Sequence, residues 1–355
     1  MVRGSATHLR LLPPPADRSV RSTPVEDERR LQAAHARVSL HAVRTVMRTV
    51  DDPLRSMVIE HLSTGGKALR SLVTLRAAAA LGCDPEGVVG VAAACELLHN
   101  ATLVHDDLQD GDRVRRGEPS VWVRHGMAQA INVGDVLLML PNLALQDSHL
   151  DPATCWYVST AFARRSAQTA SGQSLELSLL EECPTDREAY LHAARGKSGS
   201  FFALPIEVAA LCAGLPPELA RRLGDDAADL GVLFQVRDDI LDLFGDKGRG
   251  AAGNDLREGK ISALTVAHLE LYPEERPMLE ATLRRSRQDT TDEEVAHWTT
   301  QFWDRGALSV VRDWAKELLR GLEEAPTLRD EPGIHRLITK TAHALYAPLL
   351  EVGAR

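Results

Sequence analysis

Leu97-Leu98-His99-Asn100-Ala101-Thr102-Leu103-Val104-His105-Asp106-Asp107-Leu108-Gln109-Asp110 runs from apolar residues into three aspartates. At about 100° per residue, Asp106 and Asp110 share one helix face, and Asp107 lies about a third of a turn round. Carboxylates on an otherwise apolar helix are costly unless a cation meets them. The pattern returns as Asp238-Asp239-Ile240-Leu241-Asp242, again after a largely apolar run. Two such clusters, each leaving a core helix, point to one metal site built from both sides.

Outward from these clusters the periodicity is helical almost throughout. Val25 to Val50 carries apolar residues at three- and four-residue spacing and stops at Asp51-Asp52-Pro53. After Gly65-Gly66, Lys67-Ala68-Leu69-Arg70 opens an Ala-rich helix that ends near Gly82. Pro85 starts the helix of the first cluster, Gly111 to Pro119 is a basic loop, and Met127 to Gln146 is another apolar helix. Asp151-Pro152 opens a long helix toward Glu182, whose pattern predicts a central element. Two shorter helices split near Gly196-Lys197-Ser198-Gly199, and Pro216-Pro217 sits at the first turn of the second cluster's helix. Gly245 to Gly259 reads as a movable loop. Helices follow near Ile261 to Leu271, Glu274 to Arg287, Thr291 to Arg305, Ala307 to Glu324 and Gly333 to Val352. Strand signals are almost absent. The chain reads as all-α, with a disordered leader over 1–24 and a single helical domain over 25–355.

Composition narrows the partners. The 355 residues suffice for one large core, and 44% hydrophobic with 26% charged residues is a normal globular mix. A net charge of −9, with no basic stripe, argues against nucleic acid. Cys83, Cys95, Cys155, Cys183 and Cys212 include no Cys-x-x-Cys pair and read as buried thiols in a reducing cytoplasm. No apolar run reaches the roughly 18 to 20 residues of a membrane span.

Carboxylates at this spacing suit Mg²⁺, which is usually held by one or two carboxylates together with substrate phosphates. Neither a His-x-x-x-His nor a Glu-x-x-His pattern offers zinc or di-iron ligands, although His99 and His105 flank the motif. Positive charge to meet phosphate recurs at Lys67 and Arg70 by a helix start, at Arg115-Arg116-Gly117, and at Lys197 and Lys260. Two acidic clusters with several anchored cations imply a substrate whose head is a polyanion.

His105-Asp106-Asp107-Leu108-Gln109-Asp110 followed by Arg115-Arg116-Gly117 resembles the first aspartate-rich motif of the trans-isoprenyl diphosphate synthases, the polyprenyl synthetases. Gly231-Val232-Leu233-Phe234-Gln235-Val236-Arg237-Asp238-Asp239-Ile240-Leu241-Asp242 resembles their second. The likeness covers roughly Gly65 to Lys260 in the same order. It implies an all-α isoprenoid-synthase fold around a central cavity, a cytoplasmic homodimer, and three Mg²⁺ ions per site. By that resemblance Asp106, Asp110 and Asp238 bind metal, Asp107 supports them, and Asp239 and Asp242 orient ligands or metal-bound water. Lys67, Arg70, His99 and Arg116 match positions that hold the diphosphate of isopentenyl diphosphate. Arg115, Lys197, Ser198, Gln235 and Lys260 match those facing an allylic diphosphate, and Gln173 fits the pattern. The chain departs from the family at Ala68, Ser71, Glu176 and the shortened loop Lys247–Gly253.

The implied activity is condensation of isopentenyl diphosphate with dimethylallyl, geranyl or farnesyl diphosphate. The allylic C–O bond ionises and the isopentenyl double bond attacks the cation. Phe234 and Phe202 are aromatic faces that such a cation could use, though plain core packing is the better reading of both. Small residues one turn below Asp106, Ala101 and Thr102, leave room for a growing tail. The expected product is therefore beyond C15, with C20 favoured, and the floor falls to Leu98, Met139 or Leu143. A class I terpene cyclase shares the fold and the first motif, and a non-catalytic regulatory subunit of a prenyl synthase is a third reading. Intact second aspartates and the Lys67/Arg70 site weigh against both.

Overall fold

The computed structural model describes residues 24–66, 68–148, 150–181, 186–245 and 253–352. Residues 1–23 of the expected leader, Lys67, Cys183 and most of the shortened loop lie outside them. Helices α1 (Pro24–Thr49), α2 (Leu54–Ser63), α3 (Leu69–Ala80) and α4 (Val89–Gln109) come first, with a 3₁₀ turn at Pro85–Val88 leading into α4. A minimal antiparallel hairpin, β1 (Val114–Arg115) and β2 (Glu118–Pro119), interrupts the expected basic loop. Then come α5 (Val121–His125), α6 (Met127–Ala144), α7 (Pro152–Ser178), α8 (Arg187–Ala194), α9 (Ser200–Cys212) and α10 (Pro217–Phe244). The remainder comprises α11 (Asn254–Arg257), α12 (Ala263–Leu271), α13 (Arg276–Leu283), α14 (Asp292–Asp304), α15 (Ala307–Glu324), α16 (Pro326–Arg329) and α17 (Pro332–Glu351).

The centre of the bundle is α9, buried at every position from Ser200 to Leu211. It packs chiefly on α10, and α4 packs chiefly on α6. The long helix α7 is not the central element its pattern predicts. It lays one face on α9 and leaves Trp156, Tyr157 and Leu177 exposed. α8 and α9 are likewise not separated by a break, because Arg195–Gly199 forms a π-helical turn that joins them. π-turns recur at functional sites because they re-aim side chains and backbone groups.

Three smaller expectations change. Cys95 is buried, but Cys83, Cys155 and Cys212 are only half-buried. The helix over Pro85–Gln109 is long and apolar enough to cross a membrane, and 72% of its apolar window is buried inside the protein. That burial marks a core helix. The second half of the Gly245–Gly259 loop is folded as α11, whose entry is pinned by hydrogen bonds from the Gly253 and Asp255 amides to Asp242.

Candidate active site

Both aspartate clusters occupy the last turns of their helices, α4 and α10. This is the negative end of the helix dipole, where added carboxylates are disfavoured unless cations offset them. Arg115 Nε donates to Asp107 Oδ1 at 2.7 Å, and its guanidinium lies 3.3 Å from Asp112. Lys260 Nζ sits 2.8 Å from Asp110 and 2.8 Å from Glu258. Lys197 pairs with Glu176, the residue that departs from the family pattern. Burial raises Asp106 to about 6, and the nearby Lys197 charge pulls it back. Burial lowers the Lys260 ammonium, but Asp110 and Glu258 more than offset this and raise it.

The second cluster divides by its bonds. Asp239 is buried and accepts from Tyr190 Oη at 2.7 Å, the Ala263 amide at 2.7 Å and Gln235 Nε2 at 2.9 Å. Burial raises its carboxyl to about 7 against these three donors. Asp242, also buried, accepts from the Asp255 amide at 3.1 Å. Asp238 is the most accessible of the three, with 34% of its side chain exposed, and lies 4.0 Å from Arg237. Asp107, Asp239 and Asp242 thus serve the protein's own donors, Asp110 meets Lys260, and Asp106 feels the Lys197 charge.

Among the described residues no three metal-ligating side chains converge into a ready-made cage. The donors are hard carboxylate oxygens spread over two helix ends, with lysines lying against them. That set fits Mg²⁺, which completes its shell with waters and substrate phosphates.

Ser198 and Lys197 owe their places to close helix approach. A Cβ on Gly172 of α7 would lie 2.1 Å from the Lys197 amide nitrogen. One on Gly231 of α10 would lie 2.2 Å from the Ser198 carbonyl oxygen. Only glycine lets both helices clamp the π-turn. Ser198 Oγ then donates to Gln235 at 2.9 Å, and Gln173 Nε2 donates to Gln109 at 3.0 Å, tying α7 to the end of α4.

A separate basic group forms beside α3. Arg116 sits at the first turn position of the hairpin with φ +56°, followed by Gly117 at φ +83°, the left-handed pair a tight hairpin demands. This turn brings its guanidinium onto the Gly65 carbonyl, and a Cβ on Gly66 would meet that guanidinium at 2.7 Å. Arg70 is buried and its Nε has no hydrogen-bond partner; burial lowers it to about 10 while Glu96 raises it. His99 Nδ1 is also buried and unpartnered, and burial, then Arg70, hold this imidazole well below its usual range. A neutral imidazole beside Arg70, Arg115 and Arg116 is a site awaiting an anion. Lys67 lies outside the described residues.

Phe202 and Phe234 do not present open faces to a cation. The Arg70 guanidinium lies 4.8 Å over Phe202 and 5.9 Å over Phe234, and Arg237 lies 4.7 Å over Phe234. Below Asp106, Leu98 and Ala101 are fully buried, and Thr102 donates to the His99 carbonyl at 2.9 Å. Met139 is 68% exposed and is not part of a floor within this chain.

The sequence did not expose Tyr190, Glu258 or the Ala263 amide as members of this network. Tyr190 stands 49 residues from Asp239, and a backbone donor carries no residue signature. Glu258 had one readable cue, its place two residues before Lys260.

Comparison with known proteins follows from this geometry. The polyprenyl synthetase family model matches residues 51–300. The chain is 33% identical to the short chain isoprenyl diphosphate synthase of Methanothermobacter thermautotrophicus, over 75% of this chain and 84% of that protein. It is 32% identical to the geranylgeranyl diphosphate synthase of Saccharolobus solfataricus, over 75% and 82%. Among solved structures, the polyprenyl synthetase of Streptomyces coelicolor A3(2) superposes with a TM-score of 0.75 at 26% identity, covering 89% of this chain and 99% of that one. The polyprenyl synthase of Caulobacter crescentus, complexed with calcium and isoprenyl diphosphate, gives 0.74 at 27% identity, over 92% and 99%.

Proposed function

Because the chain belongs to the polyprenyl synthetase family and is a prenyltransferase, we propose that it joins isopentenyl diphosphate to an allylic diphosphate to make an all-trans product of C20. The observation that carries the reading is the pairing of two acidic helix ends with a separate basic pocket. The acidic group comprises Asp106, Asp110 and Asp238; the basic group comprises Arg70, His99 and Arg116. Geranylgeranyl synthases among the relatives, and small Ala101 below the first cluster, support the C20 length.

Asp106 and Asp110 from α4 and Asp238 from α10 would hold Mg²⁺, three ions in all. When bound, these ions neutralise the departing pyrophosphate and so ease loss of the allylic leaving group. Lys197 and Lys260 add fixed positive charge on the same side, where preorganised cations act without reorganisation. Gln173, Ser198 and Gln235 fix the lining, and Asp107, Asp239 and Asp242 hold Arg115, Tyr190 and the α11 entry in place. Arg70, His99 and Arg116, with Lys67, hold the isopentenyl diphosphate so that its double bond faces the ionising carbon. Alignment of the two reactants contributes on the order of 7–11 kcal/mol. The proton lost from the new chain passes to the released pyrophosphate.

Two further readings accompany this one. Met127, Ile131 and Met139 on α6, with Trp156 and Tyr157 on α7, are exposed large apolar side chains that a second copy of the chain would cover in a homodimer. The enzyme works in the cytoplasm, a reading supported by scattered thiols and by a spanning-length helix buried in the core.

The test is purified protein with Mg²⁺, isopentenyl diphosphate and each allylic diphosphate. Elongated diphosphates support the proposal. Cyclic hydrocarbons formed without isopentenyl diphosphate point to a cyclase, and turnover only with a second protein points to a subunit. Asp106→Ala and Asp238→Ala should each abolish elongation with the fold retained, and a wild-type rate in either would sink the two-sided site.

A further inference from the structure

His105 immediately precedes Asp106, and its ring is seated against the backbone of α6. A Cβ on Gly134 would lie 2.0 Å from His105 Nε2, 2.3 Å from Cδ2 and 2.7 Å from Cε1. Ordinary contact for such an atom is 3.4–4 Å. Any side chain at 134 would therefore expel the ring. Gly134 stands in mid-helix, where glycine is a poor residue, so the notch is kept at a cost to α6. Asp135 closes it from the side, with Oδ1 3.5 Å from Nε2. The imidazole is three-quarters buried, at 26% exposure. Its backbone lies one residue before the last turn of α4, close to a helix end, where local opening costs less than in the middle.

We propose that His105, locked into the Gly134 notch and held by Asp135, is a positioning residue that sets where Asp106 presents its carboxylate, and so sets affinity for Mg²⁺–diphosphate. The identity of that ligand rests on the synthase reading above. His105 makes no contact with metal in this scheme. It acts through the one peptide linking it to Asp106, as residues behind a metal ligand commonly do.

The probe is inorganic pyrophosphate with Mg²⁺, titrated into the full chain by calorimetry, alongside thermal melts. His105→Ala and Gly134→Ala should each weaken binding roughly 10–100-fold, the range for loss of groups behind a metal ligand. Because both act through one ring, the double variant should bind no more weakly than the worse single. Gly321→Ala, where an added Cβ meets nothing within 4 Å, should bind as wild type. Wild-type affinity in His105→Ala, or losses that multiply in the double variant, would overturn the proposal. If Gly134→Ala fails to fold, His105→Ala decides, since alanine is the best helix former at that turn. A wild-type chain that binds Mg²⁺–pyrophosphate with this His105 dependence but elongates nothing supports the notch and counts against the synthase reading alone.

Discussion

Replacing Ala101 by Phe tests whether the apolar half of α4 lines the path of the growing product. At about 1.5 Å per residue, Ala101 lies about 7.5 Å and Leu98 about 12 Å back along the helix from Asp106. A five-carbon unit extends about 5 Å, from C–C bonds of about 1.5 Å. With the diphosphate at Asp106, two units pass Ala101 and a third passes Leu98. A phenyl ring at 101 therefore stops growth by about the second unit, near C10 in place of C20. The energetic cost distinguishes lumen from core. Ala101 is 0% exposed, and forcing a ring into a packed core costs about 1–3 kcal/mol, or roughly 2–10 °C in Tm for a large domain. Filling open space costs far less. The assay is labelled isopentenyl diphosphate with geranyl or farnesyl diphosphate, products separated by length, beside a thermal melt. Shorter product is expected, with Tm lowered within that range because Ala101 has no accessible surface. Unchanged length at wild-type turnover, or a lowered Tm without shortening, would refute the path and return Ala101 to the core.

Leu98→Ala should act in the opposite sense, widening the wall that the third unit passes and shifting product toward longer chains; chromatography of the same reactions reads it. Glu207→Gln strips the carboxylate from Arg164 and from buried Arg165, which is 2.9 Å away through Nε, leaving Arg165 only Asp225 at 2.8 Å. Breaking one partner of a buried pair costs about 3–5 kcal/mol, which urea unfolding would show as a lower midpoint with unchanged slope. Tyr190→Phe removes one of three donors to buried Asp239, and a hydrogen bond to a charged group is worth about 1.5–3 kcal/mol; a stability loss under about 0.5 kcal/mol would mean the carboxyl finds another donor. His268 is fully buried, and burial, then Arg305, lower it from 6.5 to about 4. Burial favours its neutral form, so stability is full above about pH 6.5 and falls as pH drops toward 4, less steeply than burial alone gives because the Glu275 carboxylate lies 2.7 Å from Nε2 and steadies the charged ring. His268→Gln should flatten that slope in pH-dependent melts.

The parts of this molecule that the sequence exposes are those encoded locally. Ala307–Glu324 is read with its observed ends because its three- and four-residue apolar spacing is intact. The aspartate clusters are legible because each lies within five residues of chain. What escapes reading depends on which elements meet. α7 carries a helical pattern as long as a central helix needs, but burial is settled by neighbours, and α9 takes the centre. The π-turn at Arg195–Gly199 reads as a glycine break because its cause, the clamp between Gly172 and Gly231, lies on two other helices. Likewise Phe202 and Phe234 read chiefly as core, and nothing local to either ring announces the Arg70 and Arg237 guanidiniums stacked on them.

The opening stretch now has an energetic meaning as well as a chemical one. A helix C-terminus carries roughly half a negative charge, and this fold loads two such ends with three aspartates each. Arg115 and Lys260 are each bound to one of those aspartates, and Lys197 pairs with Glu176 while acting on Asp106. The cations therefore do two jobs: they hold the acidic ends together without ligand, and they remain as fixed charge when a diphosphate enters with its own counter-ions. Asp239, tied to Tyr190, Gln235 and the Ala263 amide, anchors the second end. At the first end Arg115 meets Asp107, Lys260 meets Asp110 and Gln173 ties Gln109 to α7, and the His105 ring in its glycine notch anchors the residue just before Asp106.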